Sequence, residues 1–185
     1  MTTSFYTPND VIFGKSFTQW TEKWWNWCME SPKAEITPSS DDSNVLFCWT
    51  GDHGDQLDRT IQIPSNKAIL IPVMNFNTSY LEDPSLKTDS DLIKAAKDHI
   101  DNLVQKDCEF NGVPCQIHRI PTRVFDLQVK EGNPLKVPPG NTRGVSDGYW
   151  IFTKPLAPGN YDLAITGACT PGPSCVNVKY HIQVL

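Results

Sequence analysis

The densest group of chemically capable side chains is Asp52, His53, Asp55 and Asp58. Carboxylate oxygens and an imidazole in one loop could hold a cation, which makes Asp52, His53 and Asp55 the metal candidates. The EF-hand pattern is not met: Gly54 stands at the wrong offset, and no Glu follows at the twelfth position. A polar hairpin loop between two strands is the competing reading. Asp52 and His53 together with Asp147 would supply the acid, base or metal groups of a hydrolase. Asp126 and Asp147 are candidates for paired carboxylates, and Cys48 with His53 for a thiol–imidazole pair. None of the four histidines, His53, His99, His118 and His181, stands in a GxSxG, HExxH or Cys–His signature. No catalytic residue is therefore assigned, and no cofactor is expected.

Aromatic residues offer a different chemistry. A flat indole or phenol on a β-sheet rim can stack on a sugar ring, and Trp25, Trp49 and Trp150 are placed for it. Trp49, His53, Asp147, Tyr149 and Trp150 are the ligand-binding candidates. In Asp147-Gly148-Tyr149-Trp150, strand alternation puts Tyr149 and Ile151 on one side and Trp150 and Phe152 on the other. Both faces are apolar, which suits a strand buried on both sides.

The elements that must carry these groups are legible in outline. Trp20, Trp24, Trp25 and Trp27 are four of six tryptophans, gathered near the N-terminus. Trp is seldom left in water, so this segment anchors something. Ser16-x-x-Gln19 reads as a capping box and Ser31-Pro32 as a stop, giving a helix over 16–31. Phe17, Trp20, Trp24 and Trp27 recur at steps of three and four, with Phe13 extending the stripe. Trp25 and Cys28 lie to one side of it. Residues 1–13 form a polar N-terminal arm, and strands fall in 44–73. Ala68 to Val73 is one continuous apolar run, and 75–88 reads as a loop. Asn77-Thr78-Ser79 is a glycosylation sequon, meaningful only in a eukaryotic secretory pathway.

A second helix is expected over 89–106, with Leu92, Ala96, His99 or Ile100, Leu103 and Val104 inward. Residues 108–185 read as strands, beginning with a hairpin at Asn111-Gly112. In the last strand Val176, Val178, Tyr180, Ile182 and Val184 face inward. The fold class expected is mainly β. It would be a β-sandwich, jelly-roll or immunoglobulin-like, with an N-terminal amphipathic Trp-rich helix and one inserted helix. A chain of 185 residues is one domain.

Net charge is −5, with no Lys/Arg cluster to neutralise phosphates, which argues against nucleic acid. No stretch approaches the ~18 apolar residues of a membrane-spanning helix. Six cysteines, an even number, suit disulfides. Cys108 with Cys115 and Cys169 with Cys175 are close in sequence, which leaves Cys28 with Cys48. Six reduced thiols are the alternative. MTTSFYTPNDVIFGKS is polar and does not read as a signal peptide.

GKSFTQWTEKWWNWCMESP resembles the opening of a family of small, mostly secreted bacterial proteins with an N-terminal WW helix. IPSNKAILIPVMN, Asp91 to Leu103 followed by FNGVP, and VSDGYWIFTKPLAPGNYDLAITG with VKYHIQVL are similar to its later segments, in the same order. The resemblance implies architecture and no mechanism, since the family has no established activity. Its members usually carry a signal peptide, and the cysteines here are differently placed. Secretion is expected from the paired cysteines and the resemblance, with a cytoplasmic location left open.

Three functions follow. The first is a non-enzymatic structural or interaction protein, self-associating or meeting another protein through its arm. The second is a carbohydrate or small-ligand binding module, and the third is the hydrolase.

Overall fold

The computed structural model of the chain describes residues 5–32, 44–51, 56–170 and 175–185. Asp52, His53 and Asp55 lie outside the described residues. The described residues are mainly β, with two helices.

The first helix, α1 (Phe17–Glu30), begins where the capping box places it. Ser16 Oγ accepts from the Gln19 N–H at 3.2 Å, and Gln19 Oε1 accepts from the Ser16 N–H at 2.9 Å. Those two bonds satisfy two donors that a helix start leaves orphaned. The buried face comprises Phe17, Trp20, Thr21, Trp24, Trp25, Cys28 and Met29. It is thus rotated toward Trp25 and Cys28, while Trp27 is only half-buried and Phe13 is exposed. A short hairpin precedes α1, pairing β1 (Val11–Ile12) with β2 (Lys15–Ser16). Phe13, at φ +47, and Gly14, at φ +80, make its turn.

The expected N-terminal arm is tied to the body at Phe5 and Tyr6. The Tyr6 N–H donates to Phe152 O at 2.8 Å, and Phe5 pairs with Thr153.

Two five-stranded sheets form the framework. The first orders β3 (Val45–Phe47), β5 (Ala68–Ser79), β10 (Gly140–Phe152) and β8 (His118–Arg119), with β9 (Phe125–Val129) also on β10. The second orders β4 (Gln56–Ile63), β12 (Val176–Val184), β11 (Gly159–Ala168), β6 (Gln105–Phe110) and β7 (Val113–Pro114). Helix α2 (Asp89–Asp101) packs on β5 and β10. It is shorter than expected: β6 starts at Gln105, and His99 and Val104 are exposed.

Burial follows the alternation. Trp150 and Phe152 join α1 in one core cluster, whereas Ile151 joins the cluster shared with the second sheet. β12 alternates as expected, with Val178, Tyr180, Ile182 and Val184 buried. On its outer face His181 Nδ1 lies 2.6 Å from Asp162 Oδ1, and Nε2 lies 3.0 Å from Asp58 Oδ1. The Asp162 contact, then the Asp58 charge, raise the imidazole above its ordinary value of 6.5, against a lowering by desolvation. A raised folded-state value stabilises the protein below the unfolded value, and that contribution is lost as pH rises through the folded one. The stability advantage of the wild type over His181→Gln is therefore expected to shrink from about pH 5 to about pH 8, read by urea midpoints.

The cysteines correct an expectation. None is in a disulfide. Cys28 and Cys48 are buried in different core clusters, and no disulfide joins the third expected pair. Cys169 and Cys175 meet as thiols, their sulfurs 3.1 Å apart. Cys108 and Cys115 meet at the base of the β6–β7 hairpin, where the Cys115 N–H donates to Cys108 O at 2.8 Å. The contact between their thiols raises Cys108 and lowers Cys115. Among the described residues no helix is long and apolar enough to cross a membrane.

Candidate functional site

The site begins at a mismatch in strand length. β3 pairs with β5 only over Ala68–Leu70, while β10 pairs with it out to Ser79. Beyond Leu70, β10 is the strand paired with β5 among the described residues, and the other side of β5 is an edge. Pro72, which has no N–H to offer a neighbour, sits at the start of that edge. β5 is also longer than its apolar run. Residues 75–79, expected as loop, continue the strand.

A cavity of about 410 Å³ lies against this edge. Trp24 and Trp25 of α1 contribute to its wall, as do Trp49 and Gly51 after β3, Asn75 and Asn77 of β5, and His99 of α2. Cys169 and Cys175 reach it from the ends of β11 and β12. Its volume falls in the range of ~300–1,000 Å³ common for small-molecule sites.

The polar groups in this wall are unusual. Asn77 is 2% exposed, and neither its Nδ2 nor its Oδ1 has a protein partner within hydrogen-bonding distance. Asn75 Nδ2 is likewise buried and unpaired. A buried amide left without partners costs about 1–3 kcal/mol. The neighbouring polar side chains are committed elsewhere. Ser146 Oγ accepts from Trp25 Nε1 at 2.6 Å, and the Ser146 N–H donates to Thr122 Oγ1 at 2.9 Å.

Glu82 stands at the rim. The residue is exposed by area, yet the protein packed about its carboxyl pushes it up to about 7 by desolvation, with the Asp83 charge adding to the effect. Near neutrality it therefore alternates between an acceptor-only carboxylate and a group that also donates. His99 stacks on Phe76, centroids 4.0 Å apart and planes within 11°. Among the described residues the wall contains no Lys or Arg.

Of the residues expected at a ligand site, Trp49 is in this wall. Its carbonyl also accepts from Tyr180 Oη at 2.6 Å. Trp150 is 0% exposed and packs edge-on against Trp24 at 5.3 Å, so it belongs to the core rather than a stacking rim. Tyr149 is half-buried, with Lys106 Nζ 4.7 Å from its ring centroid. Asp147 is bound by Arg119: Nη2 donates to Oδ2 at 2.6 Å, and Nε to both oxygens at 3.1 Å. Arg119 Nη1 donates in turn to Asp101 Oδ1 at 2.6 Å, tying the end of α2 to β10. Asp147 is thus a structural clamp, and its Oδ1 also accepts the Gly148 N–H at 2.8 Å. Asp126 is exposed on β9, away from Asp147's buried position on β10, so the two make no carboxylate pair.

Asn75 and Asn77 are the residues the sequence reading missed. The signal for them was there: Met74, Phe76 and Thr78 alternate with Asn75 and Asn77 at strand period. The sequon reading of Asn77 is corrected as well, because its side chain is buried within a strand.

Compared with family models, with curated proteins and with solved structures, the chain matches none.

Proposed function

We propose that this chain is a binding protein for a small ligand, with the cavity beside the β5 edge as its site. The observation that carries the reading is Asn77, a buried amide with both polar atoms unpaired in the wall of a cavity of small-molecule size. Folding alone gives no reason to keep such a group, because an apolar side chain of similar shape would pack there at lower cost. Proteins do retain destabilising groups where a ligand uses them.

We read the two sheets as a β-sandwich of the jelly-roll or immunoglobulin-like kind, which fits the family resemblance and holds the β5 edge rigid. The structural reading drew in part on the polar N-terminal arm, and residues 5 and 6 of that arm bond to the chain's own β10 end. The hydrolase reading named Asp147 with Asp52 and His53; Arg119 engages the first, and the other two lie outside the described residues.

The test is Asn77→Leu with two readouts. Unfolding free energy is expected to rise by about 1–3 kcal/mol. Chemical shifts that a fragment library induces at cavity residues of the wild type are expected to disappear. A stability loss of that size, or a wild type whose cavity residues respond to no fragment, would overturn the reading.

A further inference from the structure

We infer that the ligand of this cavity is a neutral, hydroxyl-rich molecule, with a saccharide as its chemical class. The inference rests on the binding reading above and assigns the ligand's chemistry from three properties of the wall.

Charge comes first. Among the described residues the wall carries the acid Glu82 and the imidazole of His99, with no Lys or Arg. An anion taken from water would lose its hydration without gaining a permanently charged Lys or Arg partner, and would face Glu82.

Hydrogen-bond polarity comes second and excludes the opposite case. The unpaired buried atoms of the wall are two amide nitrogens, Asn75 Nδ2 and Asn77 Nδ2, and one amide oxygen, Asn77 Oδ1; a fourth, Trp150 Nε1, lies in the core away from it. The nitrogens donate and the oxygen accepts. An ammonium group brings donors alone, so it would satisfy the Asn77 oxygen and leave both nitrogens buried and unanswered. A hydroxyl donates and accepts. Neighbouring hydroxyls on one ligand can therefore complete all three atoms, and a lone carbonyl, which only accepts, cannot.

The third property is apolar surface. Trp25, Trp49 and Phe76 share the wall with those amides. A sugar ring presents C–H groups on its faces and hydroxyls at its edge, so it suits a wall that is aromatic in one part and amide in another. A small linear polyol has the hydroxyls without the rigid apolar face, and would lose more conformational freedom on binding.

The experiment is calorimetric titration of the whole chain with a matched pyranose series. Glucose and N-acetylglucosamine are the neutral single rings, and maltose and cellobiose the neutral double rings. Glucosamine is the cation and glucuronate the anion. At least one neutral sugar is expected to bind about tenfold or more tightly than both charged ones. Asn77→Leu and, separately, Asn75→Leu are expected to weaken that sugar by about tenfold or more. Two variants are used so that a folding defect in one, checked by circular dichroism, leaves the other informative. Glucosamine or glucuronate binding as tightly as the best neutral sugar would overturn the class. So would cavity shifts from fragments with no neutral sugar bound, and in that case the binding reading stands. If neither sugars nor fragments touch the cavity, both fall.

Discussion

Trp24→Ala is expected to lower the unfolding free energy by about 3–5 kcal/mol, the range for emptying a buried large aromatic site. Trp24 is 1% exposed. Its ring meets Trp25 at 5.1 Å, Trp27 at 5.6 Å and Trp150 at 5.3 Å, all tilted or edge-on. Its Nε1 donates to Cys48 O at 2.9 Å, which couples α1 to the segment after β3. Alanine therefore removes apolar area, several aromatic contacts and a buried donor, and it leaves the Cys48 carbonyl short of that partner. Natural domains hold about 5–15 kcal/mol in all, so the loss takes a large share of the total. The midpoint of urea unfolding reads it directly. Trp27→Ala should cost clearly less, since Trp27 is only half-buried. Equal losses at the two positions would mean that the stripe is uniform, contrary to the burial.

Gly148→Ala is expected to cost about 3 kcal/mol or more and to disturb the cavity wall at the same time. A Cβ at Gly148 would stand 2.6 Å from both Cα and Cβ of Asn75 and 2.7 Å from Met74 O. All three of those atoms are backbone or sit directly on it, so β5 and β10 would have to move apart in the middle of their pairing. The strain falls at Asn75, one of the two amides that line the cavity. Gly167 makes a useful comparison. A Cβ there would collide with Met74 Sδ and stand 2.6 Å from its Cγ, but those atoms belong to a flexible unbranched side chain rather than to backbone. Gly167→Ala should therefore be the milder of the two, measured again by urea unfolding. The reverse order would contradict the steric reasoning.

The parts of this fold that were legible in the sequence are those fixed by local chemistry. Ser16 and Gln19 cap α1, Asn111 and Gly112 turn a hairpin at φ +51 and +71, and β12 alternates with the period of a strand. The two apolar faces of Tyr149 to Phe152 also announced a strand with packing on both sides. What was not legible depends on neighbours. Residue type marked Trp150 as a possible stacking surface, but an indole reads the same whether it faces solvent or Trp24. Asp147 looked like a free carboxylate because Arg119 is 28 positions away.

The candidate site was harder still, for a particular reason. Asn favours turns, so two of them after Val73 suggested that the strand had ended. β10 overrides that preference by pairing all the way to Ser79. Cys28 and Cys48 show the same limit: arithmetic made them a pair, and the fold buries them in different core clusters with no disulfide between them.

The measurement that bears most directly on the cavity follows the side-chain amide NMR signals of Asn75 and Asn77 as neutral sugars are added to the wild type. If the cavity is the ligand site, both NH₂ pairs shift together and saturate with one binding curve, while amides on the outer face of β12, such as His181, stay in place. If both pairs remain fixed while any sugar or fragment binds elsewhere, the two amides are not ligand groups and the cavity is not the site.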